Sequence, residues 1–359
     1  IVALSLAANQ YTPRILRNFM RDKGNQTVLG GLAGIFAYCI IVLRTIHGGE
    51  RSFVPAISVM LALFLAVVAI GLFIYFIHHV ATVIQVSTII SDVADETRET
   101  IMTLFPEQVE QDSRECELTP EEDALLARTK WKAIPAQRAG YLQSIDLESM
   151  MAFAHKHKVI LKMECAIGDF VLESKPLIWM APDQEPNDQV VRQLNRWASL
   201  APYRTIDQDP AFGIRQIVDI AVKALSPGIN DPTTVVTCLD YLAAILALLV
   251  VRRIPPRCRY KDGRLHLITR GPSFETLTNL AFDEIRQNSR GQPAVLLSMF
   301  HALEQVAKTR PLMAERKELL GRHAQLVLAM AEQNTAFPPD LAQVRRRANS
   351  LSALLGTSL

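Results

Sequence analysis

The sequence predicts an α-helical membrane domain followed by a mixed soluble part, in which a small β-rich, barrel-sandwich-like module precedes a helical C-terminal domain. Three observations support this prediction. Residues 54–77 are almost wholly apolar, short β-prone runs fall between residues 131 and 182, and apolar side chains recur at three- and four-residue steps after Asn187. These patterns are typical of a bilayer span, of short strands and of amphipathic helices, respectively.

The membrane domain is predicted to occupy residues 1–91. Residues 28–46 and 54–78 each approach the ~20 apolar residues that a helix needs to cross a bilayer. Residues 1–8 are apolar but much shorter. We expect them to be the end of a further span whose beginning is missing, so that the chain is N-terminally truncated.

The charges that flank the spans predict their orientation. Short loops rich in Lys and Arg stay on the cytoplasmic side of a membrane. The strongest local excess is the cluster Arg14, Arg17, Arg21 and Lys23, opposed only by Asp22. The sequence therefore predicts a multi-pass protein whose chain is cytoplasmic after residue 77.

Residues 92–130 are predicted to form an acidic helix and linker. From Asp92 to Asp123 there are twelve acidic residues against two arginines, and a single helix is expected from residue 54 to about residue 105. Beyond the membrane its apolar side chains, among them Val93 and Ile101, form one stripe. Two interpretations stay open, because the stripe could pack on this chain's soluble domain or on a helix of another subunit.

The soluble part is predicted to consist of the β-rich module at residues 131–182 and the helical domain at residues 183–359. The expected strands are 131–135, 140–145, 159–165, 170–172 and 177–180, around a helix at 147–157. The expected later helices are 190–201, 211–225, 233–251, 274–287, 294–308, 312–332 and 341–355, with a hairpin at 257–267. The helix at 233–251 is very apolar, but Asp240 within it favours a buried core helix over a third span.

The most distinctive short segment is KALSPGINDPTT, residues 223–234. Asp231 suits a helix N-cap and Pro232 the first helical position, which predicts a corner between two helices. An anion site or ion path at that helix N-terminus is the alternative. Four-residue spacing on the preceding helix also predicts a salt-bridge ladder. The candidate structural or interface motif therefore comprises Arg215, Asp219, Lys223, Ser226, Pro227, Gly228, Asn230, Asp231 and Pro232.

His78, His79 and Gln85 are the candidate pore or gating residues. They follow the apolar run where the helix is expected to leave the bilayer. Histidine changes charge near physiological pH, so one interpretation is a gating role. The alternative is anchoring of the helix at the membrane interface by amphipathic rings.

No pattern in the sequence assigns catalytic residues, a cofactor or a metal ion. The five cysteines form no CxxC pair, His155 and His157 lack a carboxylate or Cys at metal-ligand spacing, and no P-loop or HExxH occurs. The net charge of +2 is uninformative, but the acidic run at 92–123 and the basic run at 252–264 are more typical of solvated faces than of a nucleic-acid site. An enzyme is the weakest of the function classes.

Five segments carry a family resemblance. They are NQYTPRILRNFMRDKGNQTVLG (9–30), YFIHHVATVIQV (75–86), GYLQSID (140–146), GDFV (168–171) and DPAFGIRQIVDIAVKALSPGINDPTT (209–234). Together they resemble the domain of unknown function 2254 family of predicted bacterial membrane proteins. The resemblance implies the bacterial inner (plasma) membrane and further helices upstream. It implies no activity and no functional residue.

Two functions follow as hypotheses. The first is a homo-oligomeric channel or transport-like protein, because polar groups lie at the inner mouth and the acidic stretch would concentrate cations. The second is a membrane-anchored scaffold or sensor, whose β-rich module and basic run 252–264 bind a partner or anionic lipid. The lipid bilayer and a second copy of the chain are the expected partners.

Overall fold

The computed structural model describes residues 23–45, 55–83, 85–107, 124, 126–181 and 186–356. The chain divides into two compact units, Ile1–Asp92 and Val93–Leu359, and each is described by itself. The predicted partial span at 1–8, the arginines at 14, 17 and 21, and most of the acidic linker lie outside the described residues.

The first unit contains an antiparallel pair of apolar helices, α1 (Lys23–Thr45) and α2 (Ala56–Val83). The Tyr38 hydroxyl of α1 donates a hydrogen bond to the Ser58 carbonyl of α2, at 3.3 Å. Both helices are long and apolar enough to cross a membrane, with mean hydropathies of 2.0 and 2.9. Most of their side chains are exposed, as expected for a surface that faces lipid.

The helix expected to run unbroken from residue 54 to 105 is instead two helices. Helix α2 ends at Val83, and α3 (Val86–Leu104) begins after Gln85, which is not helical. Residues 80–83 and 86–90, on either side of the break, are rich in β-branched side chains, which have lower helix propensity than unbranched ones. No Pro or Gly marks this interruption in the sequence.

Two small sheets form one side of the second unit. In the first, the strand order is β1 (Lys132–Pro135), β5 (Pro176–Ala181), β3 (Ile160–Met163), β8 (Arg264–Ile268) and β7 (Cys258–Lys261), and only β3 and β8 are parallel. In the second, the order is β4 (Phe170–Val171), β2 (Gly140–Ile145) and β6 (Ala198–Ala201), all antiparallel. Helices α4 (Leu147–His157) and α5 (Asp188–Trp197) pack against strands of these sheets. A shared core that includes Leu142, Phe153, Leu161 and Ile178 packs between these elements.

The rest of the second unit is helical. It comprises α6 (Pro210–Ala224), α7 (Pro232–Val250), α8 (Phe274–Asn288), α9 (Pro293–Lys308), α10 (Ala314–Asn334) and α11 (Pro338–Leu355). Helix α7 packs against α6, α8 and α9. By length and composition α7 is a third candidate span, but half of its most apolar window is buried, against none for α2. That burial is typical of the core helix that Asp240 predicts.

Three strands, β6, β7 and β8, lie where the sequence predicts a helix or a separate helical domain. The helix expected at 190–201 ends at Trp197, and residues 198–201 form β6 because they pair with β2. The hairpin of β7 and β8 joins the first sheet through β3, although it lies within the predicted helical domain at 183–359. Tertiary pairing therefore extends the sheets beyond residues 131–182.

Candidate functional site

The segments of family resemblance in the second unit meet at the turn that contains Gly168 and Asp169. The Gly168 amide donates to the Leu142 carbonyl at 2.8 Å, and the Leu142 amide donates to the Asp169 carbonyl at 3.0 Å. The Asp169 carboxylate accepts from the Ala166 amide at 2.8 Å and closes the turn. The GYLQSID strand and the GDFV turn are thus joined by backbone hydrogen bonds.

A buried ion pair lies against this turn. Arg204 Nε and Nη2 donate to Asp209 Oδ2 at 3.0 and 2.7 Å, and the Asp209 side chain is 5% exposed. The same carboxylate caps α6, because Oδ1 accepts from the Phe212 amide at 3.1 Å. The Arg204 guanidinium also lies over the Phe212 ring at 4.9 Å. We call Gly168, Arg204, Asp209 and Phe212 the Asp209 junction.

Burial sets the electrostatics of the junction. It raises the pKa of the Asp209 carboxyl above its ordinary value, although Arg204 and the Phe212 amide oppose this shift. Loss of water disfavours the charged form of a carboxyl group, and a neighbouring cation favours it. The arrangement is that of an ion pair held for structure rather than of an exposed acid.

Two glycines of the resemblance segments permit close contacts. A Cβ on Gly168, where φ is +93°, would lie 2.5 Å from Asp209 Oδ2 and 2.7 Å from Arg204 Nη2. A Cβ on Gly213 of α6 would clash with Thr97 Oγ1 of α3. The absence of a side chain at Gly168 thus lets the Arg204–Asp209 ion pair lie close to the turn. The absence of one at Gly213 lets helix α3 pack closely on α6.

Arg215 and Asp219 form the first step of the predicted ladder on α6. Arg215 Nε lies 2.7 Å from Asp219 Oδ1, and Arg215 Nη1 also donates to Glu284 of α8. Hydrogen bonds to these carboxylates, Glu284 first, raise the pKa of the Arg215 guanidinium. Sequence spacing predicts the Asp219 partner, but only the packing of α6 on α8 brings Glu284 into reach. Lys223 lies one turn further along α6.

The predicted corner at residues 226–232 is stabilised by local hydrogen bonds. The Asn230 amide donates to the Ser226 carbonyl and the Asp231 amide to the Ala224 carbonyl, both at 2.9 Å. Asn230 adopts a left-handed backbone with φ of +48°, which Asn tolerates well. Its Oδ1 accepts from Gln292 Nε2 at 3.1 Å. Pro227 and Gly228 are exposed.

Asp231 caps α7 as its position predicts, and Pro232 follows at the first helical position. The Asp231 carboxylate accepts hydrogen bonds from the Thr234 amide at 3.1 Å and from the Thr234 hydroxyl at 2.6 Å. The hydroxyl bond is the main cause of a lowered pKa of Asp231. These contacts assign turn and cap roles to the motif.

The candidate gating residues lie in the last turns of α2 and just after it. His78 is exposed and His79 half-buried in α2, and the His79 ring stacks on Tyr75 with centroids 5.6 Å apart. Gln85 is exposed between α2 and α3. Interfacial aromatic stacking of this kind accords with the anchoring alternative.

Arg252, the first base of the run 252–264, has a structural role that the sequence conceals. Its guanidinium donates to the Phe105 carbonyl at 3.0 Å and the Met102 carbonyl at 3.4 Å, at the C-terminal end of α3. A cation there also complements the helix dipole. Arg259 is half-buried, and that burial lowers its pKa. Arg257, Lys261 and Arg264 remain exposed.

A histidine pair was also missed by sequence spacing. His155 of α4 and His266 of β8 bring Nδ1 and Nε2 within 3.3 Å, although 111 positions separate them. His157, the second histidine of the HxH pattern, packs instead on the Phe153 ring at 4.4 Å. Within the described ranges, no group of three or more His, Cys, Asp or Glu side chains is placed to hold a metal ion.

Comparison with known proteins identifies relatives across nearly the whole chain. The family model described as "Predicted membrane protein (DUF2254)" matches residues 1–305. "Uncharacterized protein MT1328" of Mycobacterium tuberculosis (strain CDC 1551 / Oshkosh) is 33% identical over 354 residues, which are 96% of this chain and 66% of that protein. "Uncharacterized protein Mb1321c" of Mycobacterium bovis is 32% identical with the same coverage. The chain spans about two thirds of the length of these relatives. No solved structure matches it.

Proposed function

The chain belongs to the DUF2254 family of predicted membrane proteins, and from this premise we propose that it is a membrane-anchored scaffold or sensor in the bacterial inner membrane. In this proposal the second unit is cytoplasmic and binds anionic lipid headgroups. A homo-oligomeric channel, the function that the sequence favours first, receives less support.

The observation that carries the proposal is the burial of the apolar stripe of α3 within the chain's own soluble unit. Val93, Ala94, Thr97 and Ile101 are at most 2% exposed. Gly213 lies against Thr97, and Arg252 binds the carbonyl groups at the end of the helix. This face of α3 is therefore occupied, and it is the face with which subunits would have formed a bundle.

The two described membrane helices offer few groups to a water-filled path. From Val59 to Ile74, α2 contains no polar side chain. From Leu29 to Ile41 of α1, the only side chains with a hydroxyl or thiol group are those of Tyr38 and Cys39. A selective pore needs carbonyl groups or polar and charged side chains along its length. Apolar helices of this composition are well suited to anchoring.

The exposed bases of the β7–β8 hairpin supply the binding surface. Arg257, Lys261 and Arg264 are exposed beside Tyr260, which is 39% exposed, and Asp262 is the acid at the turn. Each Lys or Arg close to an anionic membrane surface contributes about 1 kcal/mol, so three bases contribute about 3 kcal/mol.

Binding of short-chain lipid tests this surface in the full chain. Protein in a neutral detergent is titrated with short-chain phosphatidylserine or phosphatidylcholine, and the thermal unfolding midpoint is recorded. We expect phosphatidylserine to raise the midpoint and the triple variant Arg257→Gln, Lys261→Gln, Arg264→Gln to lose most of that rise. A matched variant, Arg192→Gln, Arg196→Gln, Arg346→Gln, should retain it. Equal loss in both variants would contradict the proposal.

Oligomeric state and ion flux test the channel directly. We expect reconstituted protein to give no ion flux above that of protein-free liposomes. Flux that falls in the His78→Ala, His79→Ala variant, together with a ring-like oligomer in mild detergent, would overturn the scaffold proposal in favour of the channel.

A further inference from the structure

We propose that the groove between helices α4 and α5 binds a small organic anion with a planar aromatic body, of the aromatic carboxylate class. The groove is open to solvent and has a volume of about 580 Å³. Sites for small molecules commonly have volumes of about 300–1,000 Å³ and combine apolar surface with a few polar groups. This site is separate from the exposed bases of the hairpin and does not rest on the proposed lipid binding.

Three aromatic rings line the groove. The centroid of the Phe153 ring lies 5.8 Å from that of Trp197, at an interplanar angle of 65°, and 4.4 Å from that of His157. Phe153 is buried, whereas Trp197 is half-buried and presents part of its indole to the groove. Aromatic rings attract one another in edge-to-face and offset-stacked arrangements. A planar ring in the groove therefore extends a series of contacts that the protein already contains.

Ala152 leaves space for such a ring between the two helices. It lines the groove from α4 and is exposed, and Val190 lines the groove from α5 and is half-buried. Both side chains are apolar, so a ring placed against them removes apolar surface from water, which is favourable. The combination of a small residue with aromatic neighbours suits a flat ligand.

The charge of the groove favours an anion. Lys156 and His157 line it, and no Asp or Glu side chain of the described residues does. No described carboxylate forms an ion pair with the Lys156 ammonium group. Gln189 and Gln193, one turn apart on α5, add exposed side-chain amides that can donate hydrogen bonds. A ligand carboxylate supplies the countercharge that Lys156 lacks.

Calorimetric titration of the full chain in neutral detergent at neutral pH measures the binding of 2-naphthoate. We expect a single site with a Kd of about 1 mM or below. 2-Naphthamide has the same ring without the charge and should bind about fivefold more weakly, because the ion pair with Lys156 is lost. Equal affinity for the two compounds would overturn the proposal.

Two pairs of variants locate the site. Ala152→Leu fills the groove, and both residues favour a helix. It should weaken 2-naphthoate binding about tenfold, because the ring loses its aromatic contacts. Ala294→Leu, at an exposed position of α9, is the control and should retain the affinity. Lys156→Gln should weaken binding about fivefold, whereas Lys158→Gln, an exposed base that does not line the groove, should leave it unchanged.

A second measurement locates the ligand independently of its affinity. Light-activated 4-benzoylbenzoate, itself an aromatic carboxylate, should label peptides that contain residues 147–157 or 188–197, and excess 2-naphthoate should suppress this labelling. Circular dichroism verifies that each variant is folded. The proposal is overturned if 2-naphthoate does not bind, or if the two variants of either pair bind it equally. Suppressible labelling that is confined to α1 and α2 would also overturn it, since the probe then binds the apolar membrane helices instead.

Discussion

Two helices of the second unit begin at the same dipeptide, Asp-Pro, and the two aspartates share the cap but differ in burial and in their side-chain partners. Asp209 and Asp231 have similar backbone angles, with φ of −130° and −111°, and each accepts a hydrogen bond at 3.1 Å from the amide three positions ahead. Asp209 is 4% exposed and paired with Arg204, whereas Asp231 is half-exposed and bonded to Thr234.

The difference separates a local role from a tertiary one. The interactions of Asp231 involve its own corner and the first turn of α7, so they stabilise one helix. Those of Asp209 connect the start of α6 with Arg204 and with the Gly168 turn beside β2. The pKa of Asp231 is lowered and that of Asp209 is raised, because burial dominates only at Asp209.

Asp209→Ala should produce the largest effect on stability. Removing one partner of a buried pair leaves the other charge uncompensated, which costs about 3–5 kcal/mol, and the cap is lost as well. Arg204 is partly exposed, so we expect about 3 kcal/mol. Urea unfolding of the detergent-solubilised chain, with pulse proteolysis as the measure of the unfolded fraction, gives this loss in the free energy of unfolding. The exposed pair Arg322–Glu275 at 2.8 Å is the control, since Glu275→Ala should cost about 0–1 kcal/mol. Similar losses for both variants would contradict the assigned tertiary role.

Gly168→Ala should rank second. The new Cβ would lie 2.5 Å from Asp209 Oδ2 at a backbone φ of +93°, and overpacking with strain costs about 2–3 kcal/mol. Gly263→Ala provides the matched control, because Gly263 also has a positive φ of +71° but no atom within 4 Å of its Cβ. It should cost only about 1 kcal/mol from the backbone. If the two variants lose the same free energy of unfolding, the close contact of Gly168 with Asp209 does not contribute to the cost.

The features that the sequence predicts correctly are those determined by residues close together in the chain. The Asp231 cap, the turn at Asp262 and Gly263, and the helix at 147–157 follow from residues close in the sequence. Strand β6 does not, because ASLA favours a strand only when β2 offers its edge. The break at Gln85 also carries no Pro or Gly signal.

The candidate sites divide in the same way. Arg215 and Asp219 lie one helical turn apart, so the spacing predicts their contact, whereas Glu284 reaches Arg215 only through helix packing. Arg252 belongs to a basic run, and nothing nearby indicates that it binds the end of α3. His155 and His266 lie in different elements, so only the contact of α4 with β8 brings them together. Long-range pairs of this kind leave no spacing pattern in one sequence.

The smallest expected effect is on the pH dependence of the free energy of unfolding. It should have opposite signs at the two aspartates, because their pKa values shift in opposite directions from 3.8. For Asp231 the lowered pKa means that its stabilisation is present above pH 3.8 and is lost as the pH falls through the folded-state pKa. For Asp209 the raised pKa means that the corresponding contribution is present below pH 3.8 and is lost as the pH rises through the folded-state pKa. Asparagine retains the cap without titrating. Relative to Asp231→Asn, the wild-type chain should therefore gain up to about 1 kcal/mol as the pH rises through this range, whereas relative to Asp209→Asn it should lose stability. Unfolding free energies measured between pH 2 and pH 6 test this, and two differences that change in the same direction would contradict the opposite pKa shifts of the two aspartates.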